Sequence, residues 1–258
     1  MKEIVADLQE RFAGSSIEEL LEYFLKGYGN RIALASSLGV EDQVLTDLVL
    51  KVKPDARIFV LDTGRLPQET YATLTATRKH YGRNFEVYFP DTAAVEKMES
   101  EMGPDFFYES VTNRLYCCNV RKVQPLKRVL GTLDVWITGL RREQAPTRTG
   151  LQRIEWDETN GLLKLNPLID WNTQQVWDYI RDHQIPYNPL HDQNYPSIGC
   201  APCTRPVAPG EDLRSGRWWW EEPEHRECGL HFHHGKLIRR NAHESTGEAG
   251  ESKHLYPA

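Results

Sequence analysis

Short apolar runs alternate with helical patterns over the first 140 residues of the chain. Ser16 and Glu19 have the spacing of a capping box, and apolar residues at helical spacing follow in a helix predicted over 15–27. The predicted strands cover 31–37, 57–61, 85–89 and 133–138, and the helices between them cover 41–52, 67–81 and 93–102. This alternation predicts an α/β fold whose parallel sheet, mixed at its edge, carries helices on both faces. Ligands bind such sheets in the crevice at the carboxyl ends of the strands.

Beyond about residue 140 the pattern changes. Prolines recur between residues 186 and 209, and one further helix is predicted over 173–183. From residue 236 onward the sequence is mostly polar. We therefore expect one α/β domain over 1–235, ending in a loop-rich region, and a flexible tail over 236–258.

Charge and hydropathy argue against two classes of partner. The chain has 31 Lys and Arg against 37 Asp and Glu, whereas a general nucleic-acid binder needs a large basic surface. No apolar run reaches the ~18 residues of a membrane span, and the first residues lack the apolar segment of a signal peptide. We expect a cytoplasmic protein that binds neither nucleic acid nor membranes and keeps its thiols reduced.

Four of the five cysteines form two pairs separated by residues 119–199, namely Cys117 with Cys118 and Cys200 with Cys203. Three interpretations are open. An iron–sulfur cluster is held by four thiolates at varied spacings. A structural zinc site usually separates its first pair by two to four residues, which adjacent cysteines do not. A redox dithiol could use the Cys-x-x-Cys pair alone, which leaves the adjacent pair unexplained.

The charges around the first cysteine pair favour the cluster. Residues 114–128 contain five Lys and Arg and no acid. A cubane with four thiolates carries net negative charge, so nearby cations stabilise it. Lys122 follows Cys118 by four residues and shares its face if this stretch is helical. The alternative is an ordinary solvated helix face.

Small and polar residues follow the first predicted strand at 36–39, where backbone amides at a helix start can bind an anion. No Gly-Lys-Ser/Thr follows, so this is not a Walker loop. Glu41 and Asp42 at the helix start would oppose a polyphosphate, although a turn with an acidic cap explains them equally. Arginines cluster in 141–153 and 205–217, which suits phosphate or sulfate.

Taken together in this order, the motifs closely resemble the assimilatory adenylyl-sulfate reductase family. They are the two cysteine pairs, Leu-Asp-Thr-Gly-Arg-Leu at 61–66, Ile-Thr-Gly at 137–139, Arg-Trp-Trp-Trp-Glu at 217–221 and Glu-Cys-Gly-Leu-His at 227–231. The resemblance covers residues 15–231. It implies an adenine nucleotide alpha hydrolase-like fold, related to ATP pyrophosphatases but with a modified phosphate loop.

The resemblance also implies a reaction, in which adenylyl sulfate is reduced to sulfite and AMP with electrons from thioredoxin or glutaredoxin. Cys228 would be the nucleophile that becomes S-sulfocysteine, and His231 would act beside it. The two cysteine pairs would hold a [4Fe-4S] cluster, which Lys122 would link electrostatically to the substrate. The substrate contacts implied are Ser36, Leu61, Gly139, Arg148, Arg214 and Arg217. Homo-oligomerisation is left open.

Three other functions remain as alternatives. A reductase could use 3′-phosphoadenylyl sulfate, or both substrates, although reductases restricted to that substrate usually lack the two cysteine pairs. An adenylyltransferase of the same fold would need an intact phosphate loop. A cluster-bearing redox sensor that binds nucleotides would not need a nucleophile such as Cys228 beside arginines that bind anions.

Overall fold

The computed structural model describes residues 2–145 and 148–222. The helices are α1 (Lys2–Arg11), α2 (Ile17–Tyr28), α3 (Val40–Val52), α4 (Gln68–Tyr81), α5 (Thr92–Met102), α6 (Val111–Cys118), α7 (Gln124–Leu130) and α8 (Thr173–Asp182). The strands are β1 (Ile32–Ser36), β2 (Arg57–Leu61), β3 (Glu86–Tyr88), β4 (Val135–Ile137), β5 (Ile154–Asp157) and β6 (Leu162–Leu165). None of the described helices is both long and apolar enough to cross a bilayer.

The strands form one sheet in the order β3-β2-β1-β4-β6-β5. Neighbouring strands run parallel, except that β5 pairs antiparallel with β6 at the edge. Central β1 places Ala33 opposite Arg57 on one side and Trp136 on the other. This confirms the predicted parallel sheet with a mixed edge, and it brings the carboxyl ends of β1, β2 and β4 together.

Apolar side chains pack on both faces of the sheet, as the alternating period of a strand requires. Ile32 and Leu34 of β1 belong to a large core with α2, α3 and α8, and Ala33 belongs to a smaller core with α7. The helices therefore cover both faces, as predicted. Near-complete burial of β1 explains why it reads as a continuous apolar run.

The elements predicted before residue 140 are all present, with ends within two residues of those expected. The capping box of α2 forms as predicted. The Glu19 amide donates to Ser16 Oγ at 3.0 Å, and the Ser16 amide donates to Glu19 Oε2 at 2.8 Å. These are local signals, so the sequence alone can specify them.

The hairpin of β5 and β6 lies in the region expected to be loop-rich, and the sequence analysis missed it. Gly161 turns the chain with a φ of 69°, and the Asn160 amide donates to Asp157 Oδ1 at 3.0 Å. Each strand has only four residues, so neither gives a strong periodic signal. Their pairing depends on β4, which lies beside β6 in the sheet.

Candidate active site

The loop between β1 and α3 is held by hydrogen bonds to an acidic residue in the first turn of α3. The Ser37 amide and Oγ both donate to Asp42 Oδ2 at 2.6 Å, and the Leu38 amide donates to Ser36 Oγ at 3.2 Å. Burial raises the pKa of Asp42 to about 6, against the opposing effect of the bonds from Ser37. Leu38 has a φ of 63°, an uncommon conformation for a bulky residue. The Asp42 carboxylate thus holds this loop in shape.

Gly139 follows β4 where the strand end approaches α3. A Cβ at this position would lie 2.3 Å from Asp42 Oδ1 and 3.1 Å from Glu41 Cβ. Only glycine lets the two segments come this close. The Ile-Thr-Gly motif therefore has a packing reason, independent of any ligand.

A polar network orients Arg148. Arg141 donates from Nε and Nη2 to Glu41 Oε1 at 3.0 and 2.8 Å, and Gln144 Nε2 donates to the same oxygen at 2.9 Å. Arg148 Nη1 in turn donates to Gln144 Oε1. The Glu41 charge is therefore balanced by Arg141, so it opposes a bound anion less than its position in the sequence suggests.

A cavity of about 280 Å³ lies at the carboxyl ends of β1, β2 and β4. It is lined by all six residues predicted to contact substrate and by Lys122. These residues come from separate parts of the chain: Ser36, Leu61, Lys122, Gly139, Arg148, Arg214 and Arg217. The fold brings them to one place, while their binding role remains a prediction.

Two aromatic residues of this cavity that carry a ring nitrogen were not predicted from the sequence. Trp136 of β4 and His191, within the 3₁₀ turn Pro189–Gln193, both line it. The buried Trp136 Nε1 and His191 Nε2 have no hydrogen-bond partner among the described residues. Burial also lowers the pKa of His191. No motif marks either residue, because their placement depends on the tertiary fold.

The four paired cysteines line a second pocket beside the first. Cys117 and Cys118 end α6, while Cys200 immediately precedes a 3₁₀ turn, Ala201–Cys203, that ends at Cys203. All four are free thiols. Within residues 2–145 and 148–222, no group of three or more His, Cys, Asp or Glu side chains is arranged to hold a metal ion. We call this the thiol pocket.

Lys122 lines both the thiol pocket and the cavity at the carboxyl ends of the strands. It lies in a π-helical turn, Asn119–Val123, that joins α6 to α7. Such turns are rare and frequently occur at functional sites. The turn continues the helical conformation beyond the first cysteine pair, and Cys118 and Lys122 both line the thiol pocket.

Positive charge surrounds the thiol pocket, whose described lining contains no carboxylate. Burial raises the pKa of Cys203 to about 12 and also raises that of Cys117. Burial acts in the same direction on Cys200, but Lys122, the Thr63 hydroxyl at 3.2 Å and nearby arginines together lower its pKa below the ordinary value. The surrounding cations and the Thr63 hydroxyl thus act on Cys200 in the direction opposite to burial.

A buried ion pair borders the thiol pocket. Arg114 donates from Nε and Nη2 to the two carboxylate oxygens of Glu221 at 2.9 and 2.7 Å. The two side chains are 1% and 2% exposed. This pair ties α6 to the last described residues. The predicted Cys228 and His231 lie outside the residues that the structure describes.

Comparisons with known proteins extend these observations. Residues 31–206 match the phosphoadenosine phosphosulfate reductase domain. An adenosine 5′-phosphosulfate reductase of Allochromatium vinosum is 54% identical over 200 residues, covering 78% of each chain. One from Burkholderia cepacia is 47% identical over 217 residues, covering 83% of this chain and 87% of its own.

Solved structures agree with the fold. A phosphoadenylyl-sulfate reductase from Candida auris, in a phosphate complex, matches with a TM-score of 0.69 at 27% identity and covers 80% of this chain and 98% of its own. A yeast FAD synthetase in complex with FAD matches with a TM-score of 0.51 at 14% identity, over 74% of this chain and 66% of its own. The second likeness concerns the fold alone.

Proposed function

Since the chain belongs to the phosphoadenosine phosphosulfate reductase family, we propose that it is an adenylyl-sulfate reductase, which reduces adenylyl sulfate to sulfite and AMP in sulfate assimilation. Curated relatives that cover most of the chain carry this activity in their names. The observation that carries the proposal is the single cavity lined by all six predicted contact residues and by Lys122.

The described residues would bind and neutralise the substrate. Arg214, Arg217 and Lys122 place cationic groups along one cavity, and a polyanionic mixed anhydride must be neutralised before a thiolate can approach it. Arg148 is held by Gln144 in an orientation suited to an anionic oxygen. Ser36, Leu61 and Gly139 would contact the nucleotide at the strand ends.

Cys228 would supply the nucleophile. Its thiolate attacks the sulfur of adenylyl sulfate, a sulfur–sulfur bond forms, the bond from that sulfur to the bridging oxygen breaks, and AMP leaves with the electron pair. A dithiol protein, thioredoxin or glutaredoxin, then attacks the Cys228 sulfur and releases sulfite. Its second thiol resolves the mixed disulfide, so the donor supplies two electrons. His231 and the cavity arginines would favour the Cys228 thiolate.

The chemistry of the thiol pocket suits a [4Fe-4S] cluster, although the side chains of the described residues are not arranged as a metal-ligand set. Its described lining offers four free thiols, which is the donor set that such a cluster takes, together with several cations and no carboxylate. Cys117, Cys118, Cys200 and Cys203 would hold it. When bound, it would supply fixed negative charge rather than carry the electrons of the reaction. Lys122, which lines both pockets, would then interact electrostatically with the cluster on one side and with the substrate on the other.

Sulfite release by the purified anaerobic protein tests this function. With reduced thioredoxin, we expect sulfite and AMP from adenylyl sulfate, and a lower kcat/KM with 3′-phosphoadenylyl sulfate. The two cysteine pairs favour this preference, because reductases restricted to the 3′-phosphorylated substrate usually lack them. Equal or reversed kcat/KM values would show a dual or opposite specificity, and no sulfite from either substrate would contradict the proposal.

A further inference from the structure

Arg217 lies directly against the backbone of Gly199. A Cβ at Gly199 would lie 2.2 Å from Arg217 Nη2 and 2.5 Å from its Cζ. Arg217 Nη1 also donates to the Ile198 carbonyl at 3.3 Å and to Ser197 Oγ at 3.4 Å. Gly199 has no unusual φ that would require glycine, so the space taken by the guanidinium is the reason for glycine here.

The guanidinium of Arg217 also lies over an aromatic ring. Its Cζ is 4.6 Å from the ring centroid of Trp218, which is 1% exposed. A cation over a desolvated indole face is held more strongly than at an exposed site. Gly199 and Trp218, which we call the arginine slot, therefore fix the position of Arg217, which lines the cavity at the carboxyl ends of the strands.

Trp218 reaches the thiol pocket as well. It lines that pocket, its amide donates to the Cys203 carbonyl at 3.2 Å, and Arg114 Cζ lies 4.7 Å from its ring centroid. Arg114 is in turn fixed by Glu221. One buried ring thus contacts a cation of each pocket, along a route separate from Lys122.

The backbone of Trp218 is held in an uncommon conformation. Its φ of 46° lies in the left-handed region, which a bulky aromatic residue adopts only when its surroundings impose it. The Glu221 amide closes the turn by donating to the Trp218 carbonyl at 2.9 Å. The ring is therefore placed by the surrounding structure despite the backbone strain.

We infer that Trp218 and Gly199 are positioning residues that fix Arg217 at the sulfate end of the substrate cavity and tie its placement to the thiol pocket. The inference rests on the proposed function, because it assigns the anion near Arg217 as the sulfate of adenylyl sulfate. It predicts that disturbing the slot weakens the binding of adenylyl sulfate selectively, since AMP lacks the sulfate.

Calorimetric binding to the full chain in a Cys228→Ser background, which blocks turnover, tests this. Gly199→Ala and Trp218→Leu should each weaken binding of adenylyl sulfate about tenfold, and binding of AMP much less. Trp218→Phe keeps an aromatic face and should retain most of the affinity. Gly14→Ala, whose Cβ would meet nothing within 4 Å, and Trp219→Phe, beside the slot at an exposed position, are the matched controls.

Two outcomes would overturn the inference and leave the proposed function standing. Equal losses of affinity for adenylyl sulfate and AMP in Gly199→Ala, with the controls unchanged, would mean that the slot is merely structural. Unchanged affinity for both ligands in the Gly199→Ala and Trp218→Leu variants would mean that substrate binding does not depend on how Gly199 and Trp218 position Arg217. A parent protein that binds AMP but not adenylyl sulfate would instead overturn the proposed function, and this inference with it.

Discussion

Lys122 is a residue that both pockets share in their lining. Its charge lowers the pKa of Cys200 on one side, and it lies within the cationic lining of the substrate cavity on the other. A cation acting at short range in a partly desolvated site contributes more than a surface charge. The charge run in the sequence suggested this residue, whereas its contact with both pockets required the fold.

Lys122→Ala should keep the iron of the purified protein and lose activity by about 100-fold or more, because an electrostatic link to the transition state is removed. Sulfite formation together with iron content measures this. Lys127→Ala, an exposed lysine five residues later, is the control. Normal kinetics in an iron-replete Lys122→Ala protein would contradict this role and would favour the alternative, in which Lys122 belongs to an ordinary solvated helix face.

Gly139 gives a second test at this scale. In Gly139→Ala the new methyl group would overlap Oδ1 of Asp42, whose other carboxylate oxygen accepts the two hydrogen bonds from Ser37 that hold the β1–α3 loop. We expect a stability loss of about 1–3 kcal/mol, as for other overpacked sites, and weaker binding of AMP. Thermal unfolding and calorimetry measure the two effects. The prediction fails if Gly139→Ala behaves like Gly14→Ala, where the added Cβ has open space.

At the scale of elements, the sequence could predict those that local signals determine, but not those that depend on tertiary contacts. The α2 capping box and the buried strand β1 depend on neighbouring residues, so their positions follow from sequence pattern. The π-helical turn after Cys118 and the β5–β6 hairpin depend on packing against distant segments. The six predicted contact residues meet in one cavity, but Trp136 and His191 carry no motif and were missed.

The buried pair that ties α6 to the chain near residue 221 has a testable effect on stability. Arg114→Ala removes the guanidinium that pairs with the buried Glu221 carboxylate, which should cost about 3–5 kcal/mol of unfolding free energy. Denaturant unfolding measures the loss. The exposed pair Arg205 and Glu211, with N···O at 3.1 Å, is the control, and Arg205→Ala should change stability little. A similar small change in both variants would contradict a structural role for the buried pair.

At the scale of the whole molecule, the cavity at the carboxyl ends of the strands and the thiol pocket share the lining residue Lys122. The thiol pocket should bind iron, so we expect a brown protein with about four irons per chain when it is purified without oxygen. Visible absorption and metal analysis check this. Cys203→Ser should lose colour and iron together, while a colourless protein holding one zinc would contradict the cluster.

The central claim is that this fold brings adenylyl sulfate to a thiolate. The most direct measurement is the mass of the protein after incubation with adenylyl sulfate in the absence of any dithiol donor. We predict that one sulfonate is added to Cys228 with release of AMP, because attack can proceed while release of sulfite cannot. Cys228→Ser should keep the iron and bind AMP, yet form no adduct. Peptide mapping that places the sulfonate on Cys200 or Cys203, or full activity in Cys228→Ser, would contradict the account.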